Sequence, residues 1–354
     1  MSVIGFTIIN GIAPLAQLHR LSDAGAGANL MHLTPTRDSE VIAYGRALTE
    51  LNLPTPEPGT LAFDGLLGNG GISPSVLTHG LLQLLTEQGF EVEFRSFNFG
   101  NPLPQTGQSP WKVEHFGGEG ADHQRLCQQL LETLIDLSQR AEHSVLAECG
   151  VGGTTFSTLW LRGLTGKALS PAGSTKDPEK LAQKEALLTE LCAEHLESEF
   201  CLERMLATQG AHDPIQQALC HLFRHWPRGK PLPFLAGGMM FLAPLLACQR
   251  IGWFDGDSTI ATTRWVLEGD GSQALLSLPQ RCQLLEHSTD FNQADHHCLH
   301  RYEQGQVVEG CGLGGTLVLA EQLGVSQASI VAALDGACRQ HIQAHRQRVR
   351  ANIE

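Results

Sequence analysis

The chain has 354 residues, 42% of them hydrophobic, with 24 Lys and Arg against 37 Asp and Glu and a formal net charge of −13. That length and apolar fraction allow a large buried core in one large domain or two. The acidic balance excludes a general nucleic-acid or anionic-membrane surface, so an anionic ligand has to be held locally, by backbone N–H groups and a few placed cations.

The opening "MSVIGFTIINGIAPLAQ" lacks a basic stretch and a continuous apolar run, so no secretory signal is expected and the cytoplasm is the expected compartment. Residues 1–60 read as an N-terminal segment packing on the core or forming a small domain. Within it "AGAGANLMHLTPTRDSE" is loop-rich, and "PTPEPGT" from Pro54 is a surface turn. An α/β nucleotide-binding domain is expected over 61–330. "TLAFDGLLGNGG" reads as a strand entering a glycine loop, "SPSVLTHGLLQLLTEQG" as a helix capped by Ser73, and "EVEFRSF" as an alternating strand.

"DHQRLCQQLLETLIDLSQR", residues 122–140, has the period of an amphipathic helix. "HSVLAECGVGGTTFSTLWLRG", residues 143–163, reads as strand, glycine turn and helix. The charged stretch from about 170 to 230 predicts a helical layer, on the sheet or at a subunit contact. "FLAGGMMFLAPLLAC", Phe234–Cys248, is too short for a membrane span and carries two glycines and Pro244, so it is a core segment. Strands follow at "STIATTRWVLE" and near "RCQLLEHSTDF", helices at "NQADHHCLHRYEQG" and after "EGCGLGG", and a C-terminal helix over 331–354. Strands alternating with helices give the α/β class: a doubly wound, mainly parallel sheet with helices on both faces and a smaller helical part. No two of the ten cysteines form a C-x-x-C pair, which suits reduced, small core residues.

Three places repeat one shape, an apolar run, a glycine pair and a helix: residues 145–165, 232–251 and 307–323. In such a turn glycines bring backbone N–H groups to an anion, and the positive end of the helix favours it. Gly152, Gly153, Thr154 and Thr155 form the first, which also reads as a plain strand-to-helix connection. It is neither a Walker A loop, since no Gly-Lys-Ser/Thr follows, nor a full dinucleotide fingerprint. Glu148 ends the strand, where a carboxylate accepts sugar hydroxyls, faces developing positive charge, or complements a helix dipole. Glu309 precedes the last glycine cluster, as a proton acceptor or as a loop glutamate. Lys184 reads as a solvated helix lysine. His296 and His300 share a helical face, but no third ligand with metal spacing accompanies them.

These turns together resemble the nicotinate-nucleotide–dimethylbenzimidazole phosphoribosyltransferase family of cobalamin biosynthesis, above all its divergent, poorly characterised branch. "ECGVGGTT" matches that family's acidic residue followed by a G-x-G/P-G-x-T-T turn, and "AGAGANLMHLTPTRDSE", the "AGG" before a helix and "RYEQGQVVEGCGLGG" are shared with the branch. The resemblance implies transfer of the ribose 5-phosphate of nicotinate mononucleotide to a free base, a benzimidazole or a purine. The product is an α-riboside 5′-phosphate for the lower ligand of a cobamide.

It also implies a homodimer with active sites near the interface, and no cofactor or metal. By similarity Gly152, Gly153, Thr154, Thr155 and Lys184 hold the phosphate, Ser73 lies along the base pocket, and Glu148 touches the ribose. Gly237, Gly238, Gly312, Gly314 and Gly315 line the substrate. Two positions depart from the family: its catalytic glutamate in a G-E-G-T-G turn is Leu313 here, and a glutamine eight residues after the serine is Leu81. Glu309 is the expected replacement for the missing base, with Glu148 stabilising the oxocarbenium-like centre. The competing readings are a nucleotide-binding regulatory protein that has lost catalysis, and another α/β nucleotide enzyme such as a dehydrogenase. The latter needs an acidic strand end about 20 residues past the turn, where this chain reads "ALSPAGSTKD".

Overall fold

The fold is known from a computed structural model that describes residues 2–22, 30–51, 53–170, 177–197, 199–268, 272–275, 278–279 and 281–351. The "AGAGAN" of 24–29, residues 171–176 of "ALSPAGSTKD" and the end of the expected C-terminal helix at 352–354 lie outside the described residues.

In chain order, β1 (Val3–Ile12), α1 (Thr34–Tyr44), α2 (Pro74–Glu87), β2 (Glu91–Phe99), β3 (Lys112–Gly118) and α3 (His123–Arg140) come first. Next are β4 (His143–Val151), α4 (Gly153–Thr165), α5 (Pro178–His195), α6 (Leu202–Ala207) and α7 (Pro214–His225). Then come β5 (Phe234–Ala236), α8 (Met239–Arg250), β6 (Ser258–Thr262), α9 (Ser272–Leu275) and β7 (Cys282–Glu286). The chain ends with α10 (His297–Glu303), α11 (Leu313–Gln322) and α12 (Gln327–Ala351).

The seven strands form one sheet in the order β3-β2-β1-β4-β5-β6-β7, and every pairing is parallel. Alternate side chains feed two cores. Ile9, Phe97, Phe99 and Leu146 pack with α3, α4, α5, α7 and α8 on one face. Ile4, Phe6, Phe94, Val145 and Ala147 pack with α1, α2, α10, α11 and α12 on the other. This is the expected doubly wound α/β class, and the helical stretch near 170–230 resolves into α5, α6 and α7, with α7 packed on the first face.

Local signals set several boundaries. Ser73 caps α2, Asp122 caps α3 by accepting from Arg125 N at 2.7 Å, and Asp213 with Gln216 forms a capping box on α7. No disulfide joins the ten cysteines, and seven of them are buried. Among the described residues no helix is long and apolar enough to cross a membrane, and Phe234–Cys248 becomes β5 and the buried helix α8.

Several local expectations need correcting. Residues 3–12, inside the stretch read as mixed, form β1, which pairs with β2 on one side and β4 on the other; a strand buried on both faces carries no alternation. Residues 34–44 of the loop-rich stretch form α1, and "WKVEHFGG" contains the unforeseen strand β3. "TLAFDGLLGNGG" is no strand: it makes a 3-10 turn at Ala62–Asp64 and a tight turn at Leu67–Gly71, anchored to α12 by Asp64 and Arg346 at 2.6 Å. β2 does not alternate toward solvent, because Glu93 and Arg95 are buried as an ion pair at 2.6 Å. β6 stops at Thr262, since the Thr263 amide turns to a carboxylate and Arg264–Val266 coils into a 3-10 turn.

Candidate active site

Strand order reverses between β1 and β4, and in doubly wound sheets ligands bind beyond the carboxyl ends of the strands at that point. Glu148 is three residues from the end of β4 and projects toward α4, α7 and α8. Its Oε2 accepts the Gly150 amide at 2.9 Å, and among the described residues no donor reaches Oε1. Gly237 leaves room there, for a methyl group on it would stand 3.5 Å from Oε1. Burial, then the charges of Glu309 and Asp213, push the Glu148 carboxyl up to about 8 against the Gly150 hydrogen bond. It therefore carries its proton at neutral pH.

Glu309 behaves differently. Its Oε1 accepts the amides of Gly310 at 3.0 Å and Gly314 at 3.1 Å, and its Oε2 accepts the Thr263 amide at 2.7 Å and the Thr262 hydroxyl at 3.2 Å. Burial raises its pKa, and the four donors oppose that rise. With two donors on each oxygen the carboxylate has its acceptor positions filled. It fastens the final glycine turn to the end of β6.

At the head of α4, Gly152 adopts φ +79° and is buried beside Leu18 and Ala13. A methyl group on Gly153 would lie 2.3 Å from Met240 Cε and 2.9 Å from Asp213 Oδ2. Close packing thus accounts for both glycines. Thr155 is fully buried, whereas Thr154 is half-buried and its Oγ1 accepts a hydrogen bond from Lys184 Nζ at 2.7 Å. Lys184 is no solvated helix lysine: α5 buries it to 2% exposure, and desolvation lowers its ammonium to about 7. Its charge and the helix dipole meet at one point.

Asp213 is the residue the sequence reading missed on this face. Its Oδ1 accepts Gln216 N at 2.8 Å, while its buried Oδ2 has no partner among the described residues and points at the Gly153 turn. Burial raises this carboxyl to about 7. The capping signal in "HDPIQQ" was legible; the orphan oxygen was not.

The remaining sequence-selected residues fall elsewhere. Ser73 Oγ, on the opposite face of the sheet, donates to Asp38 Oδ1 at 3.0 Å. Gly238 precedes α8, where an added methyl would sit 3.1 Å from Val266. Gly312, Gly314 and Gly315 let the start of α11 pack closely on the interior strands β4, β5 and β6: methyl groups there would stand 2.6 Å from Ala147 Cβ, 2.2 Å from Thr262 and 2.3 Å from Ala236 Cβ. Leu81 and Leu313, where the resembled family has a glutamine and a glutamate, are both fully buried core. His296 turns to Asp335 at 2.8 Å and His300 to the Ala294 carbonyl at 2.9 Å, so the two do not converge on a common point.

No protein-family model matches the sequence. A UPF0284 protein of Gloeobacter violaceus is 26% identical over 93% of this chain and 86% of its own length. The chain is similar to UPF0284 proteins. Those of Methanosarcina acetivorans and Saccharolobus solfataricus are also 26% identical, over 92% and 93% of this chain and 91% of each relative. The UPF0284 likeness thus covers more than nine-tenths of the chain. Among solved structures, nicotinate-nucleotide–dimethylbenzimidazole phosphoribosyltransferase from Thermus thermophilus aligns over 97% of this chain and 83% of its own, with a TM-score of 0.44 and 13% identity.

Proposed function

We propose that this protein is a phosphoribosyltransferase that moves the ribose 5-phosphate of nicotinate mononucleotide to a free nitrogenous base, a benzimidazole or a purine, giving an α-riboside 5′-phosphate for the lower ligand of a cobamide. The observation that carries the reading is Glu148, a buried carboxyl with one open oxygen and a pKa near 8, at the switch point of the sheet. The "ECGVGGTT" resemblance supports the choice of substrate class.

In this reading Lys184 and Thr154 meet the phosphate at the head of α4 and fix the sugar, an orientation effect that reaches roughly 7–11 kcal/mol in well-aligned reactions. Cleavage of the bond from C1′ to the nicotinate nitrogen leaves an oxocarbenium-like carbon. The attacking base gives up its ring proton to the ionised fraction of Glu148, which grows as pH rises toward its pKa of about 8. The role of base, which the sequence suggested for Glu309, thus passes to Glu148, while Glu309, filled with donors, holds the final glycine turn and helps to raise Glu148. No step routes through a cofactor, and the homodimer belongs to the same proposal.

The test is incubation of the protein with nicotinate mononucleotide and a panel of benzimidazoles and purines, with nicotinate release as the readout. Release that depends on the added base is expected. Binding of the mononucleotide without release under any base favours the second reading, a binding protein without catalysis, which the saturated acceptors of Glu309 favour. Binding of NAD in preference to the mononucleotide overturns both.

A further inference from the structure

On the face of β4 opposite Glu148, three residues far apart in sequence converge. Cys149 follows Glu148 on the strand, Asp38 lies in α1, and Cys311 sits in the final glycine turn. Their sulfur and carboxylate atoms all lie within 4.8 Å of one another, the one such His, Cys and carboxylate group of three or more among the described residues. Cys149 is 7% exposed and Cys311 3%. Cys311 holds φ +56°, a left-handed conformation rare for a residue with a Cβ, between Gly310 and Gly312 at φ +146° and +75°.

The carboxylate is fixed before anything binds. Ser73 and Ser75 hydroxyls donate to Asp38 Oδ1 at 3.0 and 2.6 Å, which leaves Oδ2 facing the sulfurs, 3.5 Å from Cys149 Sγ. Hydrogen bonds of this kind orient metal-binding carboxylates and are part of what sets affinity. A tetrahedral zinc ion with bonds of about 2.3 Å to sulfur and about 2.0 Å to oxygen places such a sulfur and oxygen about 3.5 Å apart, the spacing already present.

We propose that Asp38, Cys149 and Cys311 bind a borderline-soft divalent cation of the zinc class, with the fourth coordination position open. Two thiolates and one carboxylate select zinc, or cobalt as its spectroscopic substitute, over magnesium or calcium, which take oxygen ligands. On binding, both thiol protons leave to solvent and the cation takes their place between the sulfurs. The ion would clamp α1, the end of β4 and the turn after Glu309. The sequence reading expected no metal, because ligands at positions 38, 149 and 311 have no spacing to recognise and the one spacing that invited zinc, at His296 and His300, is spatially wrong. This inference stands apart from the transferase reading: nicotinate release without metal uptake would overturn only the cation site, and uptake without release would leave it intact.

The test uses full-length protein freed of metal with a chelator and kept reduced, titrated with Co2+ and with Zn2+. One equivalent per chain is expected, with a thiolate-to-cobalt charge-transfer band, release of two protons, and a higher unfolding temperature with Zn2+. Cys149→Ser and Cys311→Ser each abolish uptake, and Ser73→Ala with Ser75→Ala weakens it about 10–100-fold. The double variant Cys220→Ser, Cys298→Ser keeps it. Without any substitution, bound Zn2+ protects Cys149 and Cys311 from alkylation as mapped by mass spectrometry, a readout that does not depend on a variant folding. Absence of uptake by the reduced protein, full uptake without Cys149 or Cys311, or a Cys149–Cys311 disulfide whose reduced form takes no metal each overturns the proposal.

Discussion

The amide of Cys311 donates to the carbonyl of Glu148 at 3.0 Å, so the last glycine turn continues the hydrogen bonding of β4 beyond the sheet. One backbone bond thereby joins the strand that carries Glu148 to the loop that carries Glu309. Movement of either turn changes the field at Glu148, and the carboxylates form one unit in two segments about 160 residues apart.

Glu148→Gln is expected to lower nicotinate release by about 10²–10⁴ while the protein stays folded. In the wild type the rate should rise with pH through about 8 as Glu148 loses its proton, and that limb should vanish in the variant. A variant with near wild-type turnover, or one that keeps the same rising limb, removes Glu148 from the mechanism.

Stability should carry the opposite sign. Glu148 is raised in the folded state, from 4.5 to about 8, so the folded protein holds this proton more tightly than the unfolded chain. The benefit is complete below 4.5 and is lost as pH climbs to about 8, a fall of about 5 kcal/mol. Thermal unfolding followed from pH 5 to 8.5 should show a shallower decline for Glu148→Gln, with Asp213 supplying a residual fall of the same sign up to about 7. Parallel curves for the two proteins would count against the assignment.

Glu309→Gln should damage stability more than chemistry. An amide NH2 cannot accept the donors now shared between Gly310, Gly314, Thr263 and Thr262, so about 2–4 kcal/mol is expected to go. The urea midpoint reports it. An unchanged midpoint would mean that the turn is not held as described.

Lys184→Met should separate binding from folding. The buried ammonium is depressed from 10.5 to about 7, so it penalises the fold below pH 7 and the penalty is relieved as pH rises from 7 toward 10.5. The variant is expected to unfold at a higher temperature than wild type at pH 6, to lose that pH dependence, and to bind nicotinate mononucleotide at least tenfold more weakly. Undiminished mononucleotide affinity in calorimetry would show that the phosphate sits elsewhere.

At the far side of the sheet, Arg140, then Arg95, hold Glu93 down at about 2. This stabilisation is present above 4.5 and disappears as pH falls toward 2. Glu93→Gln leaves Arg95, 4% exposed, with Glu114 at 2.9 Å as its remaining carboxylate and should cost about 1–3 kcal/mol at pH 7. Acid unfolding of the variant should also lack the wild-type limb between 4.5 and 2, and an identical acid profile would refute the pairing.

What could be read from the sequence was what is written locally. Asp122 and Ser73 announce their helices within three residues, and the "ECGVGGTT" turn sits where strand becomes helix. Tertiary events left no local trace. β1 has no alternation because both its faces are covered, Lys184 is polar in sequence yet buried by α5 against α4, and Glu93 with Arg95 mimics a solvent-facing stripe while pairing inside. The glycines of the last turn looked like a ligand cradle, but strand backbone and side chains occupy the space beside them. Asp38 and Asp213 gain meaning only once α1 and α7 are docked on opposite faces of β4.

The position of β1 also bears on how the chain is made. Its residues leave the ribosome well before those of β4, yet β4 completes one of its edges, with Ile4 opposite His143. At about 5–20 residues per second, an apolar strand with an open backbone edge waits roughly 7–30 s for its neighbour to be synthesised. During that interval the nascent protein is a substrate for chaperones, and for self-association, in a way the finished sheet is not.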